Sequence, residues 1–126
     1  MIVELLRELC GWDEVRVVIR NESAIAELCG KPQFRDGDEY VTVEMAGTAS
    51  HAHIRRASLK RAEIASAEQG NCSVRFLDQN SAPVATVYLP RTNKAKDDFD
   101  SARRRAFDAL AEKYAQAEGV ALLSAR

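Results

Sequence analysis

The chain begins with apolar residues at Ile2, Leu5, Leu6 and Leu9, a spacing of three and four that places them on one helical stripe. Gly11 follows where a left-handed residue would end that helix. From Val15 the period changes to two. Val15, Val17 and Ile19 alternate with Arg16, Val18 and Arg20, which predicts a strand closed by a turn at Asn21-Glu22-Ser23, ahead of residues 24–28. Residues 30–37 are polar, contain Lys31-Pro32 and Asp36-Gly37, and read as a loop. Alternation resumes at Tyr40, with Val41, Val43 and Met45 facing inward. It returns after Ser50, where Ala52 and Ile54 take one face of a strand and His51, His53 and Arg55 the other.

Residues 58–67 carry small side chains around Ile64 and read as a short strand, although their composition also tolerates helix. Cys72, Val74 and Phe76 alternate with Ser73 and Arg75, Asp78-Gln79-Asn80-Ser81 make a turn, and residues 84–89 are rich in β-branched and aromatic side chains; together they predict a hairpin. Pro90 ends it. Asp97, Asp98 and Asp100 then set negative charge at the start of a long helix, whose stripe is Phe99, Ala106, Phe107, Leu110 and Tyr114 and whose end is marked by Gly119. This order predicts an α+β fold, a largely antiparallel β-sheet with an N-terminal helix and a long C-terminal helix packed on one side of it. At 126 residues the expectation is a single domain, 1–126, that buries roughly two-thirds of its unfolded surface.

Composition narrows the function classes. A hydrophobic content of 46% with 29% charged residues is ordinary for a soluble globular chain. No apolar run approaches the roughly 18 to 20 residues of a membrane-spanning helix. The opening MIVELLREL mixes acidic with apolar residues and does not read as a secretory signal, so the expected compartment is the cytoplasm. A net charge of −1 lacks the basic field of a nucleic-acid-binding protein. Cys10, Cys29 and Cys72 are odd in number and fall in no CxxC-type spacing, so they are expected to be free, partly buried thiols. The run Arg103-Arg104-Arg105 lies opposite the apolar stripe of its helix and reads as a solvated face.

Both histidines of the chain lie in Ser50-His51-Ala52-His53-Ile54-Arg55-Arg56. Zinc needs three or four protein ligands, and there is no third histidine and no thiolate at a diagnostic spacing. Haem asks for less: one axial side chain, an apolar slot and cations near the propionates, which His51 or His53 with Arg55 and Arg56 can meet. By pattern alone, the same residues also read as the solvated outer face of an antiparallel strand. Neither a GxSxG elbow, nor a phosphate-cradling glycine loop, nor a nucleophile with a local base is present.

The segment from His51 to about Ala111 resembles the ChuX/HutX family of intracellular haem-utilisation proteins, which are similar in fold to one half of the HemS-type haem carriers. The resemblance rests on the H-x-H-I-R strand and the short strand after it. It extends through a hairpin with S-V-x-F-x-D at Ser73 and V-Y-x-x-R ending at Arg91, and through a C-terminal helix rich in Phe and Leu. The earlier part of the chain fits the same plan more loosely. The resemblance implies a homodimer that binds haem b noncovalently and serves intracellular haem trafficking, storage or utilisation. It points to His53 as the axial ligand of the iron, to His51 as a second candidate or a neighbour that tunes it, and to Arg55 as a propionate partner, with Arg56 turned away. The family's G-H-G-[YF]-F-N stretch is replaced here by Gly37-Asp38-Glu39-Tyr40-Val41-Thr42, and an apolar segment between the central strands is shortened to residues 65–70. Tyr40 or Met45 is then the side chain available to cover the macrocycle. Two further readings stay open: a reductant-dependent haem-degrading enzyme, and a family-like scaffold without haem that acts as a dimeric small-ligand or interaction protein. The protein that donates or receives the haem is not indicated by the sequence.

Overall fold

In the computed structural model, which describes residues 2–66, 72–89 and 101–124, the chain folds into two sheets and two α-helices. The elements in order are α1 (Ile2–Leu9), β1 (Val15–Arg20), β2 (Ile25–Gly30), β3 (Pro32–Arg35), β4 (Tyr40–Met45), β5 (His51–Arg55), β6 (Arg61–Ser66), β7 (Cys72–Leu77), β8 (Pro83–Leu89), α2 (Ser101–Tyr114) and β9 (Val120–Ser124). A single 3-10 turn, Arg56–Ser58, joins β5 to β6.

The larger sheet has the order β2-β1-β8-β7-β6-β9 and the smaller one β3-β4-β5. All pairings are antiparallel except that of β6 with β9. The expected antiparallel character holds, but the strands divide between two sheets where the sequence suggested one. Residues 30–37 are not simply a loop, because β3 pairs with β4 from Pro32↔Met45 to Arg35↔Thr42. Pro32 opens an edge strand, where its missing N–H breaks no ladder bond. The segment looked polar because its outward positions, Gln33 and Arg35, are exposed while Pro32 is buried.

The C-terminal helix, as far as the described residues show it, ends earlier than expected. It has 14 residues and ends at Tyr114, so Gly119 does not end it. The predicted helix start, with Asp97, Asp98, Phe99 and Asp100, lies outside the described residues, as does Pro90. After the helix, β9 returns beside β6 in parallel register, Ile64 opposite Leu122. This strand is absent from the pattern because Ala121, Leu122 and Leu123 are all exposed, leaving no alternation to read. No described helix is long and apolar enough to cross a membrane.

The two sheets and two helices share one core. The stripe Ile2, Leu5, Leu6 and Leu9 of α1 meets Val15 and Val17 of β1, the inward residues of β6 to β8, and Val41, Val43, Met45 and Ile54 of the small sheet; α2 adds Phe107, Leu110 and Tyr114. Arg103 is mostly covered rather than solvated, and its Nη2 pairs with Asp13 at 2.7 Å, so one member of the arginine run fastens α2 to the loop after α1.

Gly119 makes the turn into β9 with φ of +84°, and a Cβ there would stand 2.8 Å from the carbonyl oxygen of Lys60. Both the left-handed backbone and the close approach exclude a side chain. Gly119→Ala is therefore expected to lower unfolding stability by about 1 to 3 kcal/mol, read as a lower urea midpoint at unchanged slope.

A polar clamp joins the helices. Glu8 of α1 accepts hydrogen bonds from Lys113 Nζ at 2.8 Å and from the Tyr114 hydroxyl of α2. Burial alone would raise the Glu8 carboxyl, but the two hydrogen bonds and the Lys113 charge together outweigh it and hold Glu8 below its ordinary range. Burial, reinforced by the bond to Glu8, pushes the Tyr114 phenol up. A carboxyl depressed in the folded state stabilises above its unfolded pKa and loses that contribution as pH falls through its folded value. The stability gap between wild type and Glu8→Gln is accordingly expected to be widest near neutrality and to close below about pH 4, measured by urea unfolding across pH.

Candidate functional site

The small sheet sets Val41, Val43, Met45, Ala52 and Ile54 against the core, so the alternate positions of β4 and β5 form an outer face. The register places Tyr40 opposite Arg55, Thr42 opposite His53 and Glu44 opposite His51. On the far side of β4, Arg35 stands opposite Thr42 and Gln33 opposite Glu44. The sequence-derived candidates His51, His53, Arg55 and Tyr40 are thus neighbours on one surface. Met45 is fully buried and points into the core, so of the two side chains considered as cover only Tyr40, 40% exposed, stands on this face.

His53 sits at the centre. Its Nδ1 shares a hydrogen bond with Thr42 Oγ1 at 2.8 Å, and Thr42 is only 8% exposed. A buried hydroxyl on a strand is a well-fixed anchor, and holding one ring nitrogen orients the other. His51 Nδ1 lies 2.9 Å from the Ala49 carbonyl oxygen. A carbonyl only accepts, so this Nδ1 carries the proton and donates. The two imidazole centroids are 4.9 Å apart, and the Tyr40 ring meets His53 edge-on at 6.4 Å.

Arg55 is held at one end of the face. It donates to Glu39 at 2.9 Å and to the Tyr40 hydroxyl at 3.0 Å, and its guanidinium lies 5.1 Å from the Tyr40 ring centroid. With five N–H donors it retains capacity for a further anion. Arg56, in the turn after β5, is drawn to Asp36 and reaches the Gly37 carbonyl oxygen at 3.5 Å. At the opposite end Arg35 donates to Glu44 at 2.9 Å. An open cleft of about 680 Å³ beside α1 is lined by Val3, Glu4, Arg55, Arg56 and Lys60 among others and touches neither histidine. The histidines therefore lie on the sheet face itself.

Thr42 is the site residue that sequence reasoning passed over. Its signal was present, since it alternates with Val41 and Val43 on the same side as Tyr40, but the pairing that sets it opposite His53 is a tertiary fact. The thiols lie elsewhere. Burial pushes Cys10 up to about 12 and Cys72 up to about 11, which keeps both protonated at neutral pH, while Cys29 is exposed on β2 rather than partly buried.

Of what haem asks of a protein, this face supplies an imidazole with an oriented ring and a cation within one strand's reach, with an aromatic side chain beside them. His53 supplies the first, Arg55 the second and Tyr40 the third. Comparison with known proteins agrees in direction. Residues 1–110 match the family described as haem utilisation ChuX/HutX. Similar solved structures include a protein of Erwinia carotovora, with a TM-score of 0.66 and 21% identity over 88% of this chain and 70% of that one. They also include ChuX, at 0.64 and 17% over 88% and 71%, and a structure described as the haem-binding protein ChuX, at 0.62 and 18% over 88% and 70%. At such identities the likeness is one of fold. No curated protein matches the chain.

Proposed function

The chain belongs to the haem utilisation ChuX/HutX family, and on that premise we propose that it binds haem b noncovalently through His53 and acts as a carrier or store. The observation that supports this most directly is the 2.8 Å contact between His53 Nδ1 and the buried Thr42 hydroxyl. In the tautomer whose Nδ1–H donates to the Thr42 hydroxyl, the Nε2 lone pair is the free end of the ring and is available to iron. Arg55 would hold a propionate, and the Tyr40 ring would cover part of the macrocycle. When bound, haem supplies a redox-active iron whose potential and ligand exchange depend on the axial ligand and on exposure.

The chain's own part is to bind and orient. Thr42 holds the imidazole in one orientation, and the ion pair of Arg55 with Glu39 keeps the guanidinium beside Tyr40. A ligand on an open sheet face suits capture and release better than permanent retention, which favours a carrier over a catalyst. We place the protein in the cytoplasm as a homodimer. Support for dimerisation comes from exposed apolar residues on the edge strands of the large sheet, Ile25 on β2 and Leu122 and Leu123 on β9. Sedimentation velocity tests that assembly.

The test of binding is a hemin titration of the purified chain followed at the Soret band. A saturable shift at about one haem per chain is expected, as a single axial histidine implies. A featureless, unsaturable rise would overturn the proposal. Adding a reductant to the complex in air then separates a carrier, which returns its haem intact, from a degrading enzyme, which bleaches it.

A further inference from the structure

We propose that His51 and His53 together chelate a divalent transition-metal ion, copper(II) in preference to zinc, on the outer face of β5. The two rings stand at alternate positions of one strand, project from the same face, and lie 4.9 Å apart between centroids at an interplanar angle of 63°. Each has its Nδ1 occupied, His51 by the Ala49 carbonyl oxygen and His53 by Thr42 Oγ1. Neither Nε2 has a hydrogen-bond partner among the described residues. Two imidazoles bound to one metal in adjacent positions, each through Nε2 at about 2.0 to 2.1 Å, place their centroids roughly 4.5 to 5 Å apart. The observed separation is within the range of a chelating pair, so both rings can reach one ion from the positions their strand gives them.

The outer hydrogen bonds serve the same end. Anchoring Nδ1 fixes the direction of both rings, and the Ala49 carbonyl also fixes the tautomer of His51; such partners strengthen metal ligation by histidine. His51 donates to the main-chain carbonyl of Ala49, and His53 leans on the hydroxyl of Thr42, a residue only 8% exposed.

The ligand count selects the metal. Among the described residues no group of three or more histidine, cysteine or carboxylate side chains converges to hold an ion. Water must complete the sphere, which makes a poor structural zinc site. Copper(II) accepts a tetragonal arrangement of two nitrogens with water oxygens and stands highest in the divalent affinity series. Glu44, opposite His51 in register, puts a carboxylate beside the pair, although one of its oxygens is engaged by Arg35.

This inference stands on the two rings and not on the haem reading, yet the two ligands would compete. Haem ligation takes Nε2 of one histidine, whereas chelation takes both. Copper(II) bound here would block haem at His53, and haem would displace the metal.

The experiment titrates copper(II) chloride into the haem-free protein, followed by calorimetry and by electron paramagnetic resonance. A Cys29→Ser background removes the exposed thiol. The expected result is one ion per chain with superhyperfine splitting from two imidazole nitrogens, and zinc binding more weakly. Loss of an outer-shell partner costs on the order of 10- to 100-fold in metal affinity, so loss of one of two direct ligands, in His51→Ala or His53→Ala, is expected to cost at least that much. Equal copper affinity in the parent and both variants would overturn the proposal, as would a spectrum with a single nitrogen. The outcomes stay distinct because copper is read in the haem-free protein by calorimetry and paramagnetic resonance, neither of which depends on a Soret shift. Should the haem reading alone fail, copper binding persists in a protein that shows no Soret shift.

Discussion

His53→Ala is expected to abolish or reshape the Soret shift produced by hemin while leaving the protein folded. The imidazole is exposed, and it contributes one hydrogen bond at the edge of the core rather than packing within it. Its removal is expected to change unfolding stability by less than about 1 kcal/mol. The functional loss should be far larger, because the His53 imidazole is the proposed iron ligand. Thr42→Val tests the support separately. It keeps the shape of the side chain and deletes the hydroxyl, so the ring remains but its orientation is released; a fall in haem affinity on the order of 10-fold, with the ligand still histidine, is expected. Retention of the wild-type Soret maximum in His53→Ala, in a protein of unchanged circular dichroism and melting, would place the ligand elsewhere.

Phe76→Ala is expected to cost about 3 to 5 kcal/mol, the largest stability loss of any single change considered. Phe76 is fully buried in β7, inside the large sheet, and its register partners are Ala62 on β6 and Ala85 on β8. One large side chain is thus flanked by two of the smallest, and the ring fills space that neither alanine can occupy. Truncation leaves a cavity in the core that the short side chains of Ala62 and Ala85 beside it cannot fill. A domain of this size has about 5 to 15 kcal/mol in total, so the variant should melt far below wild type or fail to accumulate. Phe76→Leu, which retains most of the volume, should recover a large part of the loss in urea unfolding. If Phe76→Ala melts within a few degrees of wild type, the core is repacking around the gap.

Alternation was the most legible signal in this chain. It located β1, β4, β5 and the β7–β8 hairpin, because one face of each is buried and the other is not, and it set His51, His53 and Arg55 on a common face before any fold was known. Where the contrast between faces fades, so does the signal. The strand β9 is exposed at Leu122 and Leu123 and was invisible, and β3 was taken for loop because its polar outer positions and its proline dominate a segment of four residues. The end of α2 at Tyr114, ahead of Gly119, is not legible because an apolar stripe and a downstream glycine do not say where the last hydrogen-bonded turn lies.

By itself the sequence determined which side of each strand turns inward, the helical stripe of α1, and the company of two histidines and an arginine on one surface; these are local consequences of spacing. Only the tertiary structure decided that the strands form two sheets, that Thr42 lies opposite His53, that Tyr40 meets Arg55, and that Glu8 receives Lys113 and Tyr114 from the other end of the chain. Period-two patterning is blind to partners, since it records burial of one face and nothing about which strand lies alongside. Cross-strand register is set by the packing of the whole core, and in this protein register is what turns an exposed histidine into an oriented one.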